Sequence, residues 1–441
     1  MRMFVFALVF LLPLGARAQN IITVAGNGTA GFSGDGLQAV SAELNHPQGV
    51  ATDKAGNVYI ADNYNSRIRK INTAGVISTV AGGGTNGADS VPATSVVIYV
   101  SDVAADSVGD IFFADAENNV VRKVNIAGII TTIAGNGNGA GTFNGGFSGD
   151  GGPADSAELS DPNHVAVDAV GNVYIVDQDN NRIRKVNTTG IITTICGNSG
   201  QGFTGDGGLA VLAELFNPTG VSVDESGNIY ISDLGNARIR KIDTGGIITT
   251  IAGNGTAGYS GDGGPALAAS ISPTGNALMK RGNLYFVDGS NRIRVVDNRG
   301  NINTVAGNGT AGFGGDGSTA VTAELHNPTS IAFDANGNLF VADEGNERIR
   351  EVLFNTHVGI ANLNGGEIVS LYPNPTTDIL NIDQVKENTT YRLIGMGGAV
   401  VQRGILQTGS NNICIERLLP GVYFFEMNSG QQTVTRTIVK Q

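Results

Sequence analysis

The stretch from His46 to Ile71, HPQGVATDKAGNVYIADNYNSRIRKI, decides the fold. "GVATD" is a short apolar run, and "KAGN" is a turn that places glycine where a positive φ is wanted. "VYIAD" is a second run, rich in β-branched and aromatic residues. "NYNS" turns the chain again, and "RIRKI" alternates with period two. "GVISTVAG", from Gly75, supplies a fourth strand. The block returns as DPNHVAVDAVGNVYIVDQDNNRIRKV from Asp161, NPTGVSVDESGNIYISDLGNARIRKI from Asn217 and NPTSIAFDANGNLFVADEGNERIREV from Asn327, with diverged copies at 99–124 and 272–296. Four short antiparallel strands in a repeat of roughly 50 residues are the pattern of a propeller blade.

The runs "VYIAD" and "NLYFVD" are nearly all apolar rather than alternating, as in strands covered on both faces. One such sheet cannot hide its faces alone, so neighbouring repeats must stack on it. The word "T[VI]xG" begins at Thr23, Thr79, Thr132, Thr194, Thr250 and Thr304; the first precedes the first block, and none follows the last block at Val352. The strand Ile21 to Ala25 therefore has no sheet of its own. It is expected to fill the fourth-strand position of the last sheet, covering an open edge and closing a six-bladed ring over residues 19–353.

Composition agrees with an all-β chain. Glycine is abundant (65 of 441 residues), tryptophan is absent and only 15% of residues are charged. A formal charge of -12 gains nothing from counterion release, which argues against a nucleic-acid partner. Residues 1–18, with an early arginine, an apolar run and the small-x-small end Ala16-Arg17-Ala18, read as a secretory signal peptide. No later stretch is long enough to span a membrane as a helix. The two cysteines, Cys196 and Cys414, leave two readings open: a disulfide in an oxidising compartment, or two plain apolar side chains.

After a linker at 354–366 the pattern changes. "VSLYPNPTTDILNI" (Val369–Ile382), "YRLIGMGGAVVQRG" (Tyr391–Gly404) and "LLPGVYFFEMNSGQQTVTRTIVKQ" (Leu418–Gln441) are period-two strands with Pro, Asn and Gly turns. With its "YPNP" start, "LPGVYFF" and "TIVKQ" ending, the segment 367–441 resembles the C-terminal sorting domain of the type IX secretion system of Bacteroidetes. That resemblance implies a small β-sandwich handled by the type IX machinery, and a secreted or outer-membrane surface-attached protein. The repeats, in turn, resemble NHL repeats as found in bacterial exported proteins, almost letter for letter in blades 1, 3, 4 and 6. Blade 2 departs most: Val100 replaces the proline, Val120 the first arginine, and its linker "GGGTNGADSV" lacks "GDG". Blade 5 has Met279 where the turn aspartate belongs. The family implies a propeller that mostly binds partners; a minority of relatives in this fold are lyases or hydrolases with a metal in the central channel.

The linker "GNGTAGFSGDGG" joins the outer strand of one blade to the inner strand of the next. Its aspartate is Asp35, Asp150, Asp206, Asp262 or Asp316. One reading is a calcium site, but calcium takes six to eight oxygens and each loop offers one carboxylate. The other is structural: glycines allow the tight path and the aspartate caps the following "AELxxP" turn. A feature present once per blade favours the structural reading. The same holds for "D-x-x-N-x-R", with Asp62 and Arg67, Asp177 and Arg182, Asp233 and Arg238, and Asp343 and Arg348. There Asp and Asn satisfy turn backbone groups and the arginine is expected to bridge to a carboxylate. A solvated anion-binding ring is the alternative.

Residues the repeat does not explain carry the site. Seven residues before each "GN"-turn glycine stand Gly49, Asp102, His164, Gly220, Gly275 and Ser330. Blades 2 and 3 thus place a carboxylate and an imidazole at the mouth of the central channel, with Gln48 and Asn163 one position earlier. An Asp–His pair can do acid–base work or hold a metal; equally, a wet channel mouth accepts any polar residue. His46 and His326 could share that rim, but three histidines at three repeat positions weigh against one zinc ion. No Ser–His–Asp order, HExxH or phosphate loop is present. The expectation is a secreted or cell-surface propeller that binds a protein or glycan on one face. The alternative is a metal-assisted lyase or hydrolase with its site in the channel.

Overall fold

The computed structural model describes residues 20–142, 145–354, 370–372, 379–385, 388–395, 399–419, 421–428 and 433–440. The signal-peptide reading, and all of the expected linker except Phe354, fall outside them. Ala18–Phe354 forms one compact unit; the segment from Asn355 onward belongs to another. Among the described residues no helix is long and apolar enough to cross a membrane.

The first unit is all-β, built from repeated blades. Blade 1 runs from the inner strand Pro47–Thr52 through Val58–Asp62 and Arg67–Ile71 to the outer strand Ile77–Gly82. Six such sheets occur among the described residues, five of them four-stranded; blade 2 adds a two-residue strand, Val91–Pro92. The "VYIAD" strand is buried at every position, because neighbouring sheets cover both faces. One core cluster joins Val50, Ile60 and Ile77 of blade 1 to Ala342 and Ile349 of the last sheet. Another joins Tyr174 and Val176 to Val221 and Ile231 of the next sheet. Each such side chain contributes about 1.5–3 kcal/mol when fully buried.

Asn20–Ala25 pairs antiparallel with Arg348–Leu353, with Ile21 opposite Val352 and Thr23 opposite Arg350. It is the fourth strand of the sheet that contains Pro328–Phe333. At this junction His46 N–H donates to Glu347 Oε2 at 2.6 Å. Asp161 N–H to Asn119, Asn217 N–H to Asn181 and Asn327 N–H to Asn291 make the same bond between other consecutive blades.

Blade 5 corrects the alignment made on its glycine turn. Its inner strand, Pro273–Lys280, has eight residues where the others have six. Pro273 still faces Asp288, but Ala277 occupies the register that Val50 holds in blade 1. One extra residue bulges out, so Asn276, not Gly275, is the counterpart of Gly49.

The second unit holds two sheets. Ser370–Tyr372, Ile379–Val385 and Gly409–Cys414 form one; Val400–Leu406, Thr389–Gly395, Gly421–Asn428 and Thr433–Lys440 form the other. Leu380, Leu393, Phe425 and Met427 lie in their common core. Both cysteines are free. Cys196 is a buried apolar residue whose thiol burial pushes up to about 12, and Cys414 is exposed.

One repeat position carries an energetic cost. Lys70, Lys123, Lys185 and Lys241 stand on the third strands of blades 1 to 4; in the last sheet the residue is Glu351. Burial, together with the nearby Asp334, pushes its carboxyl up to about 7. A raised acid favours folding only while protonated, so its contribution is lost as pH rises from the ordinary glutamate range through 7. Glu351→Gln is expected to stabilise the protein by on the order of 1–3 kcal/mol at pH 8 and to be neutral near pH 4. Melting curves at the two pH values check this.

Candidate functional site

Most of the buried charges belong to the repeat itself. Asp62 is fully buried and accepts Asn45 N–H at 2.7 Å, Asn65 Nδ2 at 2.8 Å and Arg69 Nη1 at 3.2 Å. Arg69, also fully buried, reaches with Nη2 to Asp35 Oδ1 at 2.8 Å. Arg184 lies between Asp177 and Asp150, Arg240 between Asp233 and Asp206, Arg294 between Asp288 and Asp262, and Arg350 between Asp343 and Asp316. The linker aspartate is therefore structural, but as the outer, partly exposed member of an ion triad whose arginine and inner aspartate are buried, rather than as a turn cap. Its carboxylate faces a guanidinium, which repels calcium.

The bridging arginine is not the one expected from the D-x-x-N-x-R pattern. Arg67, Arg182, Arg238 and Arg348 are not the bridges; they lie over Phe32, Phe147, Phe203 and Phe313 at 3.8, 3.7, 3.6 and 3.7 Å. They start their strands at the solvent end, and only the arginine two residues deeper meets both carboxylates. Blade 2 keeps the triad without the "GDG" word: Asp89 binds Arg122 Nη2 at 2.6 Å. The missed signal is spacing, 33 residues there against 34 for Asp35–Arg69. Blade 2 lacks the first arginine and the stacking ring together.

At the inner ring the structure brings Asp102 and His164 together, with Oδ2 to Nδ1 at 3.4 Å. Both are sealed, at 3% and 6% exposure. Burial raises the Asp102 carboxyl and lowers the His164 imidazole, favouring the uncharged form of each. Asp102 Oδ2 also accepts Val165 N–H at 3.1 Å from the next blade's inner strand. Two symmetry mates do the same: Asn276 Oδ1 accepts Ile331 N–H at 2.9 Å, and Ser330 Oγ accepts Val50 N–H at 3.3 Å. An inner strand has one unpaired edge, and this position satisfies its donors. Gly49 is glycine because a Cβ there would lie 2.7 Å from Asp102 Oδ1. Gln48 and Asn163 do not join the pair. Gln48 Nε2 donates to Glu344 Oε1 at 3.1 Å, and Asn163 Nδ2 donates to Gln178 Oε1.

The rim around this mouth carries rings that reading by repeat position overlooked. Tyr64, 65% exposed, lies flat on His46 with centroids 4.1 Å apart. Phe216 and Tyr99 are exposed at equivalent strand entries, Tyr99 N–H bonding Asp115 as Phe216 N–H bonds Asp233. His326 occupies the same place in the last blade. Phe216 and His326 each cover a turn glycine, Gly235 and Gly345, where a Cβ would meet the ring at 2.5 and 2.6 Å. Blade 1 reverses the arrangement, its turn supplying the ring itself. Between the rings stand Gln48, Glu344 and Asn327, linked through Glu344. Such a face can stack on flat or apolar ligand surfaces and accept or donate hydrogen bonds beside them.

The family model described as the teneurin NHL domain matches residues 16–97, 133–204, 196–260 and 254–311, more than half of the chain. The model described as the secretion system C-terminal sorting domain matches 370–441. Teneurin-1 of Gallus gallus is 28% identical over 270 residues, which is 51% of this chain and 9% of that protein. The chain thus spans about a tenth of the length of such curated relatives. Among solved structures, a protein of unknown function from Bacteroides thetaiotaomicron is similar at TM-score 0.57 and 20% identity, covering 76% of each chain. An auxiliary nutrient binding protein from Bacteroides ovatus is similar at 0.55 and 16%, also covering 76% of each.

Proposed function

The chain belongs to the teneurin NHL-domain family and ends in a secretion-system sorting domain, and on that premise we propose a secreted or cell-surface binding protein that holds a protein or glycan on the ring-bearing rim of its propeller. Six blades close the ring, with the bond from His46 to Glu347 repeating the bond between other blades. Residues 1–18 serve as signal peptide, 19–353 as propeller, 354–366 as linker and 367–441 as the sorting domain met by the type IX machinery. The observation that carries the binding reading is the contrast between rim and channel. Tyr64, Tyr99, Phe216 and His326 are open to solvent, whereas Asp102 and His164 are closed off from it. The nutrient-binding description of a neighbour with the same fold is compatible with this role.

The test is a glycan array and a pull-down with the full chain and with Tyr64→Ala. Exposed Tyr64 contributes little to folding, so its melting curve is expected to stay within about 1 °C of wild type. A genuine ligand is expected to lose at least about tenfold in affinity. Equal retention by the variant would count against the rim. The second reading, a metal-assisted lyase or hydrolase in the channel, rests on the contact between Asp102 and His164 alone, since among the described residues no third His, Cys, Asp or Glu joins them as a ligand. Stoichiometric metal by elemental analysis would support it.

A further inference from the structure

The opposite end of the inner strands, away from the rim, holds an open depression of about 300 Å³. It is lined from five blades by the turns that follow the inner strands. Asp53, Asp106, Asp168 and Asp334 face it together with Lys54 and Lys280.

Most of these carboxylates are consumed by their own turns. Asp53 accepts Asn57 N–H on Oδ1, and Asn57 Nδ2 and the Tyr59 hydroxyl on Oδ2. Asp168 does the same with Asn172 and Tyr174. Asp334 takes Asn338 N–H on one oxygen and side-chain amides on the other. Blade 2 breaks the pattern. Its Asn and Tyr are replaced by Asp110 and Phe112, which cannot donate from their side chains. Asp106 Oδ1 still collects Val108, Gly109 and Asp110 N–H, at 2.9, 2.9 and 3.0 Å. Among the described residues, no donor meets Oδ2.

Blade 5 breaks the pattern in the other direction. In strand register Lys280, not Met279, stands where blade 1 has Asp53, so the lengthened strand puts a cation in place of the turn carboxylate at the depression. Lys280 Nζ donates to Asp334 O at 3.4 Å and lies 5.5 Å from the Phe333 ring centre. Among the described residues neither Lys280 nor Lys54 forms an ion pair. The two blades that depart most from the repeat thus equip one cavity with an open acceptor and open cations.

We propose that this depression binds a small carboxylate that also carries a hydroxyl or ammonium donor, its carboxylate toward Lys280 and Lys54 and its donor on Asp106 Oδ2. The volume, at the lower end for ligand pockets, suits a single sugar acid or amino acid. A charge-assisted bond at each end fixes orientation, and the Phe333 ring offers an apolar wall. This site is independent of the rim reading.

The experiment is isothermal titration of the full chain with galacturonate, glutamate and uncharged galactose. Galacturonate supplies the donor as hydroxyl and glutamate as ammonium, so the acid that binds identifies the source. One acid is expected to bind and galactose is not. Lys280→Met and Asp106→Asn are each expected to weaken binding about tenfold or more. Asp106→Asn keeps the oxygen that holds the turn, and wild-type melting curves of both variants separate lost binding from lost folding. Tyr64→Ala is expected to leave the titration unchanged. Absence of binding by both acids, equal binding of galactose, or unaltered affinity in both variants overturns the proposal.

Discussion

Deleting residues 20–27 is expected to lower the melting temperature of the propeller region by on the order of 5–10 °C. The deletion removes Ile21 and Ala25, both fully buried, from two separate core clusters. It also strips the outer edge of the strand Arg348–Leu353, whose backbone groups would then face water or another chain. Truncating a buried isoleucine alone costs about 2–4 kcal/mol, and each kcal/mol moves the melting point of a domain this large by roughly 2 °C. A repeat array propagates the loss, because each sheet is stabilised by its neighbours. Differential scanning calorimetry checks the result. An unchanged transition would mean that the amino-terminal strand is an ornament, and the closed ring would fall with it.

Arg184→Ala is expected to destabilise by about 3–5 kcal/mol, and Arg182→Ala by no more than about 1 kcal/mol. The two arginines stand two residues apart and face the same aromatic ring, Phe147. Arg184 is fully buried between Asp177 and Asp150, and its removal leaves Asp177 in the core without its cation. Burial already pushes the Asp177 carboxyl up to about 6 against the hydrogen bonds that hold it. Arg182 is half-buried, and water replaces its contacts. Urea denaturation midpoints of the two variants separate them. Equal effects would show that the triad does not organise the blade.

These expectations locate where function can sit. A charge present in blade after blade, such as Arg184, is committed to building sheets. A charge whose blade has lost the usual partners, such as Asp106, is free to meet a ligand. The rim rings belong to a middle category. They recur at related positions and cover turns with one side, as Phe216 and His326 do over Gly235 and Gly345, yet stay exposed on the other.

The repeated strands were legible because burial on both faces leaves a direct imprint, an unbroken apolar run such as "VYIAD" between glycine turns. The pairing of Asn20–Ala25 with Arg348–Leu353 was legible by counting strands, since an unpaired edge is costly wherever it lies in the chain. The proximity of Asp102 and His164 followed from their shared repeat position in adjacent blades. Tertiary structure decided the rest. Whether Arg67 or Arg69 meets a carboxylate depends on how deep each sits in a sheet, and period two assigns both to one face. Asn276 displaced Gly275 because a bulge shifts register by one residue, which a glycine-based alignment cannot detect. The open oxygen of Asp106 follows from Asp110 and Phe112 within its own blade, but the solvent access of Tyr64 depends on what neighbouring residues cover, and cover is a property of three-dimensional packing that residue identity does not encode.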